Sequence, residues 1–162
     1  MKPENSRSGD FTFPPQEKLK SKKSIQSLFE CRNNIQSSHL KVVFKINTAA
    51  TEHLPKFSVS VPKRAFKKAV SRNKLKRLIR EAYRLNKVPL VEYCKSNSIS
   101  VEMMWIYTKS EMQTFHFIES ILKTMIGKLM KYLIAKSGIW VRNIFSIFSN
   151  SHIFKFPNSQ MR

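Results

Sequence analysis

Acids are scarce in this chain of 162 residues: ten Asp and Glu stand against thirty Lys and Arg, for a formal net charge of +20. Asp10 is the sole aspartate, and the other acids are scattered glutamates. Phosphodiester hydrolysis by protein-bound metals needs several convergent carboxylates. Glu81, Glu92 and Glu102, the acids nearest the densest run of cations, are expected on a helix, a loop and a strand. The sequence therefore assigns the protein neither catalytic residues nor a metal site. Cysteine is equally sparse. Cys31 and Cys94 form no CxxC pair, which argues against a disulfide framework or a zinc knuckle and predicts two free thiols. No run reaches the ~18 apolar residues of a spanning helix, and Met1 to Asp10 lacks the apolar stretch of a secretory signal. A soluble, cytoplasmic protein is expected, with no membrane expected as its principal partner.

What is present is charge and enough apolar material for one core. The hydrophobic fraction is 41%, so the chain is more than a basic tail. A surface this positive repels itself unless a polyanion lies against it. Nucleic acid is the first candidate partner and an anionic membrane surface the second.

The pattern along the chain suggests three segments. Residues 1–16 are polar, contain Pro3, Pro14 and Pro15, and read as a flexible leader. Residues 17–136 carry the periodic patterns of one α/β domain. Residues 137–162 form an extension of unassigned role; from 139 on it holds Trp140, Phe145, Phe148, Phe154 and Phe156 but no acid. Within the domain, Ile25, Leu28 and Phe29 predict one apolar face of a short helix between Glu17 and Glu30. His39 to Ile46 reads as a strand. Phe57, Val59 and Val61 alternate with Ser58 and Ser60, which predicts a second strand, ended by Pro62. Their proximity predicts an antiparallel pair. A helix is expected from about Val70–Ser71, with Ser71 as N-cap, to before Pro89. Its apolar stripe is Leu75, Leu78, Ile79, Ala82 and Leu85. Val101 to Tyr107 reads as a strand buried on both faces. A long helix follows between Glu111 and Ala135, with Ile118, Ile121, Leu122, Met125, Leu129 and Leu133 toward the core.

The densest charge lies in residues 61–80. Nine cations occur there without a single acid: Lys63, Arg64, Lys67, Lys68, Arg72, Lys74, Lys76, Arg77 and Arg80. A solvated helix face usually mixes signs, because like charges four residues apart cost a few tenths of a kcal/mol. Arg72, Lys76 and Arg80 form such a row with no internal relief. The row suits phosphates, whose neutralisation releases counterions. Arginine adds a planar fork that holds phosphate at two points. Asn73 offers a donor and an acceptor, suited to a ribose hydroxyl or a water on a phosphate-bound metal, although such an Asn also serves as a capping or solvent residue.

The run Lys68-Ala69-Val70-Ser71-Arg72-Asn73-Lys74-Leu75-Lys76-Arg77-Leu78-Ile79-Arg80-Glu81-Ala82 resembles the signature of the protein subunit of bacterial ribonuclease P. Val59-Ser60-Val61-Pro62-Lys63-Arg64 resembles the strand that leads into it. The resemblance covers about residues 11–136. It implies an α/β fold: a small two-layer sandwich similar to the second domain of ribosomal protein S5, with a mixed sheet and a left-handed βαβ crossover carrying the basic helix. It implies two partners, the ribonuclease P catalytic RNA and precursor tRNA, and assistance to Mg²⁺-dependent removal of the 5′ leader, with the Mg²⁺ held mainly by RNA and substrate. By motif match, Arg72, Asn73, Lys74, Lys76, Arg77 and Arg80 would face the RNA. Lys63, Arg64, Lys67 and Lys68 extend the same surface. The resemblance also implies a leader-binding cleft between the sheet and the first helix, for which Phe29, Phe44 and Ser60 are the candidates; ordinary core is the competing reading for the aromatics. Two positions depart from the family pattern. Ile25 stands where many members have phenylalanine, and Lys67 where many have glycine. The alternatives are a structural RNA-binding protein of ribosomal type and a membrane-surface protein.

Overall fold

The computed structural model describes residues 14–136. The expected leader, apart from its last three residues, and the extension from 137 on lie outside the described residues. The described residues up to Met130 form one compact unit; those from Lys131 to Lys136 belong to a second and are the final turns of the last helix.

The elements are α1 (Lys22–Glu30), β1 (Asn34–Gln36), β2 (Leu40–Asn47), β3 (Lys56–Ser60), α2 (Ala69–Asn86), α3 (Val88–Ser96), β4 (Ser100–Tyr107) and α4 (Phe115–Lys136). A single 3-10 turn, Pro15–Glu17, precedes them. The strands form one mixed sheet in the order β1-β2-β4-β3. β2 runs antiparallel to both β1 and β4, and β3 runs parallel to β4. The α/β character and the mixed sheet are as the resemblance implies.

The expected antiparallel pairing of the two sequential strands is corrected. β4 lies between them, with Val43 opposite Met104 on one side and Ser58 opposite Met104 on the other. The reason is burial. β4 is the most apolar strand, with Val101, Met103, Trp105 and Tyr107 fully buried, and an interior position covers it on both edges and both faces.

Paired residues on neighbouring strands share a face. Val43 and Met104 form one cluster with Leu19 and Leu28, with Ile25 and Ile106 packed against it. This is the α1 face, and the register adds Lys41, Lys45, Ser58, Ser60 and Glu102 to it. The other face carries Leu40, Val42, Phe44, Phe57, Met103 and Trp105. There Phe57 stacks on Tyr83 of α2 at 4.3 Å between ring centres. Asn86 of α2 donates to Glu119 of α4 at 3.3 Å, tying the two helices together.

Several boundaries differ from the sequence expectation. α1 begins only at Lys22, because the Ser21 hydroxyl accepts from the Ser24 amide at 3.3 Å as an N-cap. Before it the chain is extended, and the Leu19 amide donates to the Phe57 carbonyl at 3.0 Å. Phe29 is 50% exposed, so the buried face of α1 is Leu28 with Ile25 beside it. β1 was hidden by its polar sequence, Asn-Ile-Gln, and exists because β2 offers it a ladder. α2 starts at Ala69 and its N-cap position is Lys68, not Ser71. Pro89 sits in the first turn of α3, where a missing amide is harmless, so it opens a second helix after the break at Lys87.

Lys87 and Glu17 form an ion pair that is almost wholly buried. No helix among the described residues is long and apolar enough to cross a membrane.

Candidate nucleic-acid interface

The cationic surface is built from the loop between β3 and α2 and from the outer face of α2. The loop is pinned at both ends of its apolar content. Val61 and Phe66 are buried, and the Phe66 ring lies 5.9 Å from that of Tyr107 at the end of β4. The amides of Ala65 and Phe66 both donate to the Pro62 carbonyl, at 3.1 and 3.3 Å. Lys63 and Arg64 between these anchors, and Lys67 and Lys68 just beyond them, are exposed.

α2 buries Leu75, Ile79, Ala82 and Tyr83. Asn73, Lys74, Arg77 and Arg80 are exposed and Lys76 is half-buried. Arg77 and Arg80 lie four and seven positions beyond Asn73, so the three share one outward side of the helix. The predicted apolar stripe needs correcting at its edges. Leu78 is half-buried and Leu85 is 38% exposed, while Tyr83, which the stripe omitted, is fully buried. Tyr83 was missed because a tyrosine late in a basic helix reads as a surface residue; its spacing of four from Ile79 was the available signal.

Arg72 departs most from expectation. It stands two turns before Ile79 and about three before Tyr83, which places it on the core side of α2 rather than opposite it. Its Nη1 donates to the carbonyls of Phe66 and Lys67, at 2.8 and 2.7 Å. The motif's first arginine is therefore engaged with the preceding loop.

The acid nearest the motif is neutralised locally. Glu81 accepts from Arg84 at 2.6 and 2.9 Å. That hydrogen bond holds its carboxyl below the usual carboxylate range. Glu92 lies on α3, not on a loop, and Glu102 lies on β4. Among the described residues no three His, Cys, Asp or Glu side chains converge into a metal site.

Of the three residues expected in a cleft beside α1, the register places one, Ser60, on the sheet face that α1 covers. Phe29 is on α1, and Ser60, half-buried, points by register to the α1 face. Phe44 does not. It is 1% exposed and lies on the opposite face, because its partner Met103 and Met103's partner Phe57 lead to α2. A buried ring there is core. The same register shows two cations that sequence reasoning missed: Lys41 and Lys45 alternate with Val43 and so share the α1 face. Their period of two was legible. The Lys45 ammonium also reaches the Ser27 hydroxyl of α1 at 3.5 Å.

The comparisons agree with this architecture. The family model described as Ribonuclease P matches residues 13–130. The ribonuclease P protein component of Porphyromonas gingivalis is 31% identical over 90 residues, which cover 56% of this chain and 66% of the relative. That of Vibrio cholerae is 30% identical over 76 residues, covering 47% and 62%. The matched stretch thus spans just under two thirds of these relatives' own length. Among solved structures, the ribonuclease P protein of Staphylococcus aureus superposes with a TM-score of 0.57 at 20% identity, covering 70% of this chain and 94% of its own. The Thermotoga maritima protein gives 0.55 at 24%, covering 67% and 94%. With the family model covering more than half of the chain and the fold agreeing, the chain belongs to the ribonuclease P protein component family.

Proposed function

We propose that this protein is the protein subunit of ribonuclease P: it binds the catalytic RNA and the 5′ leader of precursor tRNA in the cytoplasm and assists Mg²⁺-dependent removal of the leader. The observation that carries the reading is the acid-free surface of residues 61–80, mounted on a helix whose opposite side is fully buried. A rigid cationic face gathers phosphates at fixed spacing with no backbone left to order on binding. Lys63, Arg64, Lys67, Lys68, Asn73, Lys74, Lys76, Arg77 and Arg80 are the contacts assigned to the RNA.

The α1 face is assigned to the leader. Phe29 presents half of its ring to solvent, and an exposed ring can stack on an unpaired base, worth about 1–3 kcal/mol. Lys41 and Lys45 supply cations for the leader's phosphates. The dispersed acids support placing the chemistry in the RNA, with Mg²⁺ held by RNA and substrate.

The test adds full-length protein to ribonuclease P RNA and precursor tRNA at low Mg²⁺. Mature 5′ ends should appear faster than with RNA alone, and protein freed of RNA should release none. A protein that neither binds the RNA nor stimulates cleavage would overturn the reading.

A further inference from the structure

We infer that Arg72 is a positioning residue: it holds the loop between β3 and α2 in the shape that presents Arg64, Lys67 and Lys68 to RNA, and is not itself a phosphate contact. The inference rests on the RNA-binding reading above.

Three observations carry it. First, the helical spacing puts Arg72 on the side of Ile79 and Tyr83, away from the outward row of Asn73, Arg77 and Arg80. Second, Nη1 carries two hydrogens and has two acceptors, the carbonyls of Phe66 and Lys67 at 2.8 and 2.7 Å. These are charge-assisted bonds at the short end of their range. Third, the loop needs such a tie. Lys63, Arg64, Lys67 and Lys68 repel one another across a few residues. Lys68, at the N-cap position, makes no capping bond with its side chain. The backbone bonds to Pro62 are long, at 3.1 and 3.3 Å. Arg72 bonds the carbonyls of two consecutive peptide links, Phe66–Lys67 and Lys67–Lys68, so it fixes the point where the loop turns into the helix. Lysines held in place lose less freedom on binding than lysines on a loose loop.

The test has two arms, both on the full chain. In the free protein, Arg72→Met should speed amide exchange at Ala65 and Phe66 about tenfold or more, the equivalent of one charge-assisted hydrogen bond. Amides of β4 should keep their protection, which shows the fold intact. Arg72→Gln serves as the second variant if Arg72→Met does not fold. In the second arm, binding to ribonuclease P RNA is measured for Arg64→Ala/Lys67→Ala alone and combined with Arg72→Met or with Arg77→Ala. Combined with Arg72→Met, the loop substitutions should cost less than about threefold further affinity, because the loop is already loose. Combined with Arg77→Ala, they should cost as much as in the wild type. Unchanged exchange, or full additivity with Arg72→Met, would overturn the inference. A wild-type protein that fails to bind the RNA would instead overturn the functional reading, and the exchange arm would still decide what Arg72 does to the loop.

Discussion

The ammonium of Lys87 lies 2.7 and 2.6 Å from the two carboxylate oxygens of Glu17, with both side chains 4% exposed and 70 positions of chain between them. The pair joins the turn before α1 to the break between α2 and α3. Removing one partner strands a charge away from water. Glu17→Gln or Lys87→Met should therefore lower unfolding free energy by about 3–5 kcal/mol, while Glu17→Leu/Lys87→Met together should recover most of that loss. Urea unfolding of the four proteins measures it. Equal destabilisation by the double and single variants would mean that the pair contributes net stability.

Arg77→Ala and Ile79→Ala separate the two sides of α2. Arg77 is exposed and Ile79 fully buried. Arg77→Ala should leave the melting temperature within a degree or two and reduce the slope of log affinity against log salt by roughly 0.7–0.9. Ile79→Ala should cost about 2–5 kcal/mol through a core cavity and leave the salt slope of the folded protein unchanged. Leu78→Ala should cost less than Ile79→Ala, since Leu78 is only half-buried. Melting curves and a binding series across salt provide both readings.

The two thiols should behave differently. Cys31 is exposed and Cys94 buried. Burial pushes the Cys94 thiol up to about 12, against a smaller downward pull from a backbone hydrogen bond with Val101. A thiol reagent at neutral pH should label Cys31 alone, and Cys94 only once the chain is unfolded, as read by mass spectrometry.

The same shift fixes the sign of an alkaline effect. In the unfolded chain the thiol ionises near ~8.5–9, whereas the folded protein keeps its proton until about 12. Between these values the unfolded state binds fewer protons, so stability falls as pH rises, by at most about 1.4 kcal/mol per pH unit for this one group. Burial raises Tyr83 as well and acts in the same direction. Cys94→Ala should flatten the decline in urea midpoint from about pH 9 upward without abolishing it. An identical decline in the variant would refute the assignment.

Phe29→Ala should change stability by less than about 1 kcal/mol, because half of the ring already faces water. It should weaken holoenzyme affinity for precursor tRNA with a single-stranded leader, by about fivefold or more, and leave affinity for leaderless tRNA alone. Equal weakening of both substrates would remove Phe29 from leader binding.

Strand and helix types were legible wherever periodicity was strong. Phe57 to Val61 alternates, Val101 to Tyr107 is continuously apolar, and α4 repeats at helical spacing; all three stand in the structure. Pairing was less legible. Nothing local in β2 or β3 says that a strand forty positions later comes between them, since that depends on which strand has most apolar surface to cover. Within the motif, types and spacing exposed the cationic surface, but Arg72 looked like its neighbours. Its different engagement follows from a helix that starts earlier than Ser71 suggested, which leaves Arg72 within reach of the loop's carbonyls. Phe44 misled for a simpler reason: an aromatic in a strand carries no label for its face, and only counting from Val43 supplies one.

The interior place of β4 bears on how the chain is made. During synthesis β2 and β3 leave the ribosome with no strand to join them, because β4 ends 47 positions beyond Ser60 at Tyr107. At ~5–20 residues per second that gap lasts about 2–9 s. For that interval Phe44 and Phe57 have no Met103 between them, and the strand edges that will pair with β4 are open to other nascent chains. The sheet therefore closes only when its most apolar strand arrives, and slower translation between Ser60 and Tyr107 lengthens the time for which those edges stay open.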